Sequence, residues 1–277
     1  MDVPDSDFGS DGWGFESLRT HSKSCRANAG ADPGCEPNAR FHASDRWDRF
    51  RYRAFMDVRA DLLDVQRSAW DALTRPGTWW TGPQRAELAA TALAAMTSAC
   101  PLPPWTAPST IAGFLADDLI APAAAHDAIY RVAAHAATLT ETWYEGMRVA
   151  LTDLAYVELV AIACNVAAVV AFRRAAGFEP WELSPPFDGE PTRTVPPDLV
   201  DAEMNWVRVT APADEKAAVV QAFTSVPAEL DRLWTLAAAQ YIPNLEMVDP
   251  LWTRGTLSRP QTELVAARIS QLRECFY

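Results

Sequence analysis

The groups in this 277-residue chain that could do chemistry are few and widely spread. Its cysteines are Cys25, Cys35, Cys100, Cys164 and Cys275, and its histidines are His21, His42, His126 and His135. Five is an odd number, no CxxC pair occurs, and a secreted disulfide scaffold would be denser and even-numbered. This usage predicts reduced thiols in a cytoplasmic protein. A metal site is not expected, because the early Cys/His group is loosely spaced and His126 and His135 lack a third ligand. They read as structural or surface histidines. No glycine-rich phosphate loop and no GxSxG elbow is found. The chemistry left is at the end of the chain, LSRPQTELVAARISQLRECFY, where Glu263 precedes Cys275 by twelve residues. A thiolate is a nucleophile, and a carboxylate near it can pass protons. A second pair, Glu87 and Cys100, is thirteen residues apart, but CPLPPW supplies no further cysteine or histidine. Cys100 is therefore expected to be a small buried thiol, and Cys164 a core residue.

The elements that must position these groups are helical. Phe55, Val58, Leu62, Val65, Ala69 and Leu73 recur at helical steps until PGTWW at 76–80 breaks the pattern. Thr81-Gly-Pro-Gln84 reads as a capped helix start, and Pro101, Pro103 and Pro104 end that helix. Further helices are expected at about 109–119, 122–137, 139–150, 152–176, 213–224, 226–241 (behind a Ser225 cap) and 259–277. Gly177 and Pro180 close the 152–176 helix. That helix is apolar all round, which suggests a subunit contact, while Glu158 and Asn165 argue against a membrane span. Glu158 reads either as a satisfied first-turn carboxylate or as the remnant of a catalytic one. Residues 180–212 are proline-rich and read as an irregular surface connection; residues 1–45 read as a disordered tail. The acidic start MDVPDSDFGSDG lacks the apolar segment of a signal peptide. Strand alternation is not convincing anywhere, so the class is all-α.

Three helix starts look alike: Thr81 to Leu88, Thr152 to Leu159, and Ser258 to Leu264. Each has a hydroxyl cap followed by Glu-Leu, and the first and third share Pro-Gln, which suggests duplication. The net charge of −12 disfavours binding to nucleic acid or to anionic membrane surfaces.

The end of the chain resembles the alkylhydroperoxidase AhpD-like family of the carboxymuconolactone decarboxylase superfamily, in which a helix with an early Glu leads into Cys-x-x-Cys-x-x-x-His. PGTWWTGPQRAEL, LTETWYEGM, AYVELVAIA with RAAGF, SVPAEL and AAQYIP look like landmarks of a two-half subgroup, over about residues 50–277. The resemblance implies an AhpD-like bundle of two related halves. The first, degenerate half is 46–179, the linker 180–212 and the second half 213–277. It implies Glu263 as proton-relay carboxylate and Cys275 as resolving thiol, a hydroperoxide substrate, a dithiol reductant, no cofactor and no metal. It also implies a homo-oligomer, with no membrane and no nucleic acid. The sequence in hand stops where the motif's second cysteine would stand, so the chain as written is expected to be incomplete and inactive as a two-cysteine peroxidase. A UGA codon read as selenocysteine would explain that position; a true stop or a gene-calling error are the alternatives. Two other functions stay open: a non-catalytic helical scaffold, and a lyase, suggested by the superfamily name alone.

Overall fold

The structure, a computed structural model, describes residues 58–212 and 218–272, all within a unit spanning Phe55–Tyr277. It is mainly helical. The helices are α1 (Ala60–Asp71), α2 (Gly82–Thr97), α3 (Ala123–His135), α4 (Glu141–Met147), α5 (Asp153–Ala176), α6 (Ala218–Gln221), α7 (Pro227–Gln240) and α8 (Arg259–Leu272). Two small antiparallel hairpins join them: β1 (Leu199–Ala202) with β2 (Asn205–Thr210), and β3 (Thr253–Arg254) with β4 (Leu257–Ser258).

Helix α5 is the axis of the fold. Its sequence is apolar on every side, and α1, α2, α3 and α7 all pack on it. Leu159, Ile162, Val166 and Val169 are fully buried among Leu88 of α2, Ile129 of α3 and Tyr144 of α4. Burying each such aliphatic side chain stabilises the fold by about 1.5–3 kcal/mol. The helix is long and apolar enough to cross a membrane, but 67% of its apolar window lies inside the fold. Its apolar excess, expected to serve a subunit contact, is thus mostly turned inward. Thr152 caps its start, accepting from the Ala155 amide at 3.2 Å. Gly177, at φ 70°, ends it in the left-handed conformation.

The expected cap at Thr81 is present. Its hydroxyl accepts from the Gln84 amide, and the Gln84 side chain accepts from the Thr81 amide at 3.0 Å. Ser258 repeats part of this arrangement, its amide donating to the Gln261 side chain at 2.9 Å. The cap expected at Ser225 is displaced. Helix α7 begins at Pro227 behind Val226, and the Ser225 hydroxyl is buried without a hydrogen-bond partner. The helix expected over 109–119 is only a 3-10 turn, Pro108–Thr110, because Gly113 turns left-handed at φ 74°.

Residues 180–212 differ from the irregular connection expected of them. Their second part forms β1 and β2, where Val207 and Val209 point inward while Trp206 and Arg208 face out. That period of two spans only six residues between prolines, too short to stand out in the sequence. Their first part is stitched to the 74–82 turn. The amides of Phe187, Thr192 and Arg193 donate to the carbonyls of Thr74, Gly77 and Thr78, at 2.9, 3.1 and 2.9 Å. The Trp70 indole donates to the Glu182 carbonyl at 2.9 Å.

Candidate functional site

Glu263 lies in the first turns of α8, and two groups orient it. Tyr241, just beyond α7, donates its hydroxyl to Oε2 at 2.5 Å, and Arg259, one turn earlier on α8, donates Nε to Oε1 at 2.6 Å. These bonds, the tyrosine's above all, hold the Glu263 carboxyl below its ordinary range. Partial burial and the bond to Glu263 push the Tyr241 phenol up to about 12. The carboxylate is still 41% exposed, so it is both ionised and reachable. Arg259 is fixed in turn by the carbonyls of Glu246 and Asp249, at 3.4 and 3.2 Å.

Cys275, the other residue expected at this site, lies outside the described residues, as do Cys25 and Cys35. Helix α8 constrains where it can act. Nine helical steps from Glu263 to Leu272 advance about 14 Å along the axis. Cys275 therefore meets its own Glu263 only if the chain turns back beyond Leu272.

A second carboxylate cluster was not expected from the sequence. Arg85 of α2, Glu158 of α5 and Glu229 of α7 meet in the core, each at most 1% exposed. One guanidinium nitrogen of Arg85 serves both carboxylates: it contacts Glu158 and donates to Glu229 at 2.8 Å. Arg232 also pairs with Glu229. The Trp79 amide donates to the other oxygen of Glu158 at 2.5 Å. Glu158 is thus satisfied by Arg85 and the 76–80 turn, not by the start of its own helix. Burial pushes the Glu158 carboxyl above its ordinary value despite Arg85. Burial opposes ionisation of Glu229 too, but its two arginines outweigh it and hold that carboxyl low. Gly77 makes room for the cluster: a Cβ there would sit 1.9 Å from a Glu158 oxygen and 2.5 Å from Arg85. The three members come from TGPQRAEL, AYVELV and SVPAEL. A signal therefore existed, in charged residues embedded in apolar helix starts.

Glu87 has an architectural role. It accepts from the amides of Ile120 and Ala121, at 3.1 and 2.8 Å, and contacts Nε2 of the buried His126 at 3.1 Å. Thr91 contacts the other imidazole nitrogen at 2.8 Å. The set fixes the approach to α3. Cys100, expected to be buried, is exposed, because α2 ends at Thr97 and the chain leaves the core. Cys164 is partly buried, and burial pushes its thiol up to about 11, which keeps it protonated. Among the described residues, no three His, Cys, Asp or Glu side chains group as a metal site would need.

No family model, curated protein or solved structure matches this chain. Among the described residues, the fold defines a mainly α-helical class with two small hairpins.

Proposed function

We propose that this chain belongs to an AhpD-like, thiol- or selenol-dependent peroxidase-type oxidoreductase that reduces hydroperoxides. The observation that supports this reading best is Glu263: an ionised, reachable carboxylate held by Tyr241 and Arg259 on the helix that leads to Cys275. In this reading a peroxidatic thiolate or selenolate, of the kind the family places three residues after Cys275, attacks the peroxide oxygen. It becomes the sulfenic or selenenic acid and releases an alkoxide. Glu263 relays the proton that makes the alkoxide an alcohol. Cys275 then attacks the oxidised centre through sulfur, its thiol proton passing to the departing hydroxide, so that the bridge closes and water leaves. A dithiol reductant reopens it. The reading places the protein in the cytoplasm, where such reductants work.

The test is hydroperoxide consumption with a dithiol reductant, by protein made with the reading frame that follows Tyr277. Turnover that falls at least tenfold in Glu263→Gln and in Cys275→Ser supports the reading. A rate equal to buffer, or one indifferent to both substitutions, refutes it. A helical scaffold is the second reading. It is favoured by α8, which has no buried residue at all.

A further inference from the structure

Tyr144 of α4 is fully buried, yet its hydroxyl has no hydrogen-bond partner among the described residues. An unpaired buried hydroxyl destabilises a fold, and phenylalanine would fill the same space without that cost. The residue lines a cavity of about 230 Å³, together with Tyr156 of α5, Met204 of the β1–β2 turn, and Asn205, Trp206 and Val207 of β2. Three of these walls are aromatic. Tyr144 and Trp206 stack with ring centroids 6.0 Å apart and planes 28° apart, and Tyr144 meets Tyr156 at 5.4 Å. Rings pair with rings at such separations, so these walls suit a further flat ring better than an alkyl chain. A dry cavity of about 150 Å³ takes one benzene, so this one has room for a single ring with a short substituent.

The polar groups set the charge of a guest. Burial, with the negative charge of Asp153 behind it, pushes the Tyr144 phenol up to about 12. At neutral pH the hydroxyl therefore keeps its proton and can donate it to an acceptor. The charged groups that act on it are already matched. Arg208 makes two bonds to Asp153, at 2.7 and 3.0 Å, and Arg148 pairs with Glu145 at 3.2 Å. A charged guest would lose its water here and gain no free counter-ion. A neutral carbonyl oxygen would gain a donor and lose little. Trp206 and Met204 form the outer wall: they are 46% and 73% exposed, at the tip of a two-stranded hairpin. Rotation of these two side chains opens the way to the phenol.

We infer that this cavity binds a neutral single-ring aromatic carbonyl compound, its ring against Trp206 and Tyr156 and its oxygen accepting from the Tyr144 hydroxyl. The site shares no residue with the Glu263 cluster and does not depend on the redox chemistry proposed there.

Titration of the full chain with acetophenone, followed by the indole N–H NMR signal of Trp206, tests this. The signal is identified by its loss in Trp206→Phe. Wild type is expected to show a saturable shift. Cyclohexyl methyl ketone, which lacks the aromatic ring, and benzoate, which carries a charge, are expected to bind about tenfold more weakly. Tyr144→Phe is expected to weaken acetophenone about tenfold, because the carbonyl loses its donor. Its thermal midpoint should equal or exceed that of wild type, since the hydroxyl removed bonds nothing in the fold. The absence of a saturable shift in wild type overturns the inference. So does acetophenone affinity unchanged in Tyr144→Phe, or equal affinity for either control compound. A lowered midpoint in Tyr144→Phe also overturns it, because the hydroxyl would then be paired within the fold.

Discussion

Two carboxylate sites in this molecule share residue types and differ in almost everything else. Glu158 and Glu229 are sealed in the core, neutralised by Arg85 and Arg232, on helices that meet around α5. Glu263 sits on a helix with no buried residue, held by one tyrosine and one arginine and open to solvent. The sealed site cannot admit a substrate, so its charges organise the fold. The open site is reachable from solvent, as the proposed proton relay needs, and losing it should cost the fold little. Exposure and balance of charge, more than the presence of glutamate, separate an architectural carboxylate from a chemical one.

The largest expected effect belongs to the sealed site. Arg85→Met strands Glu158 in the core and leaves Glu229 with Arg232 alone, and removing one member of a buried ionic group costs about 3–5 kcal/mol. Chemical denaturation should show that loss or a failure to fold; a change below about 1 kcal/mol would break the contrast. Gly77→Ala comes next. Its added methyl meets Glu158 and Arg85, and overpacking of that kind costs typically 1–3 kcal/mol.

The two sealed glutamates should then differ from each other. Glu229 titrates below its ordinary value when folded, so its stabilisation is complete above the ordinary carboxylate range and fades as the pH falls toward the lowered value. Glu158 titrates above its ordinary value, so its contribution is complete at low pH and fades as the pH rises through the raised value. Glu229→Gln should therefore destabilise at neutral pH and flatten the acid limb of the stability profile. Glu158→Gln should cost less, and least at alkaline pH. Equal losses with parallel profiles would show that the two carboxylates are not divided in this way.

The smallest effect on stability is expected at the open site. Tyr241→Phe removes one bond to an exposed carboxylate, which is worth at most about 1 kcal/mol to the fold. It should nevertheless raise the Glu263 titration point, as read by carboxylate NMR, because that bond is the chief cause of its depression. A large stability loss with no titration change would make Tyr241 a structural residue only.

Much of the scaffold was legible in the sequence. The cap at Thr81, the long helix at 152–176 and its Gly177 stop follow from local chemistry that tertiary packing did not override. Ser225 misled because a hydroxyl before Pro227 reads as a cap, while the chain places Val226 at the helix start. The β1–β2 hairpin was hidden by the prolines around it. Glu263 was legible as a residue, without its bond to Arg259 one turn before it. Tyr241 was not, because it comes from beyond a different helix. The meeting of Arg85, Glu158 and Glu229 depends on contacts between residues 73 and 144 positions apart, which no local pattern encodes.

The proposed redox function requires Glu263 and Cys275 to act on each other, and the pH dependence of Cys275 alkylation tests that requirement. A neighbouring carboxylate disfavours a thiolate, so Glu263→Gln should lower the Cys275 titration point by about half a unit to one unit. Superimposable pH–rate curves for wild type and Glu263→Gln would put carboxylate and sulfur out of each other's reach and contradict the account.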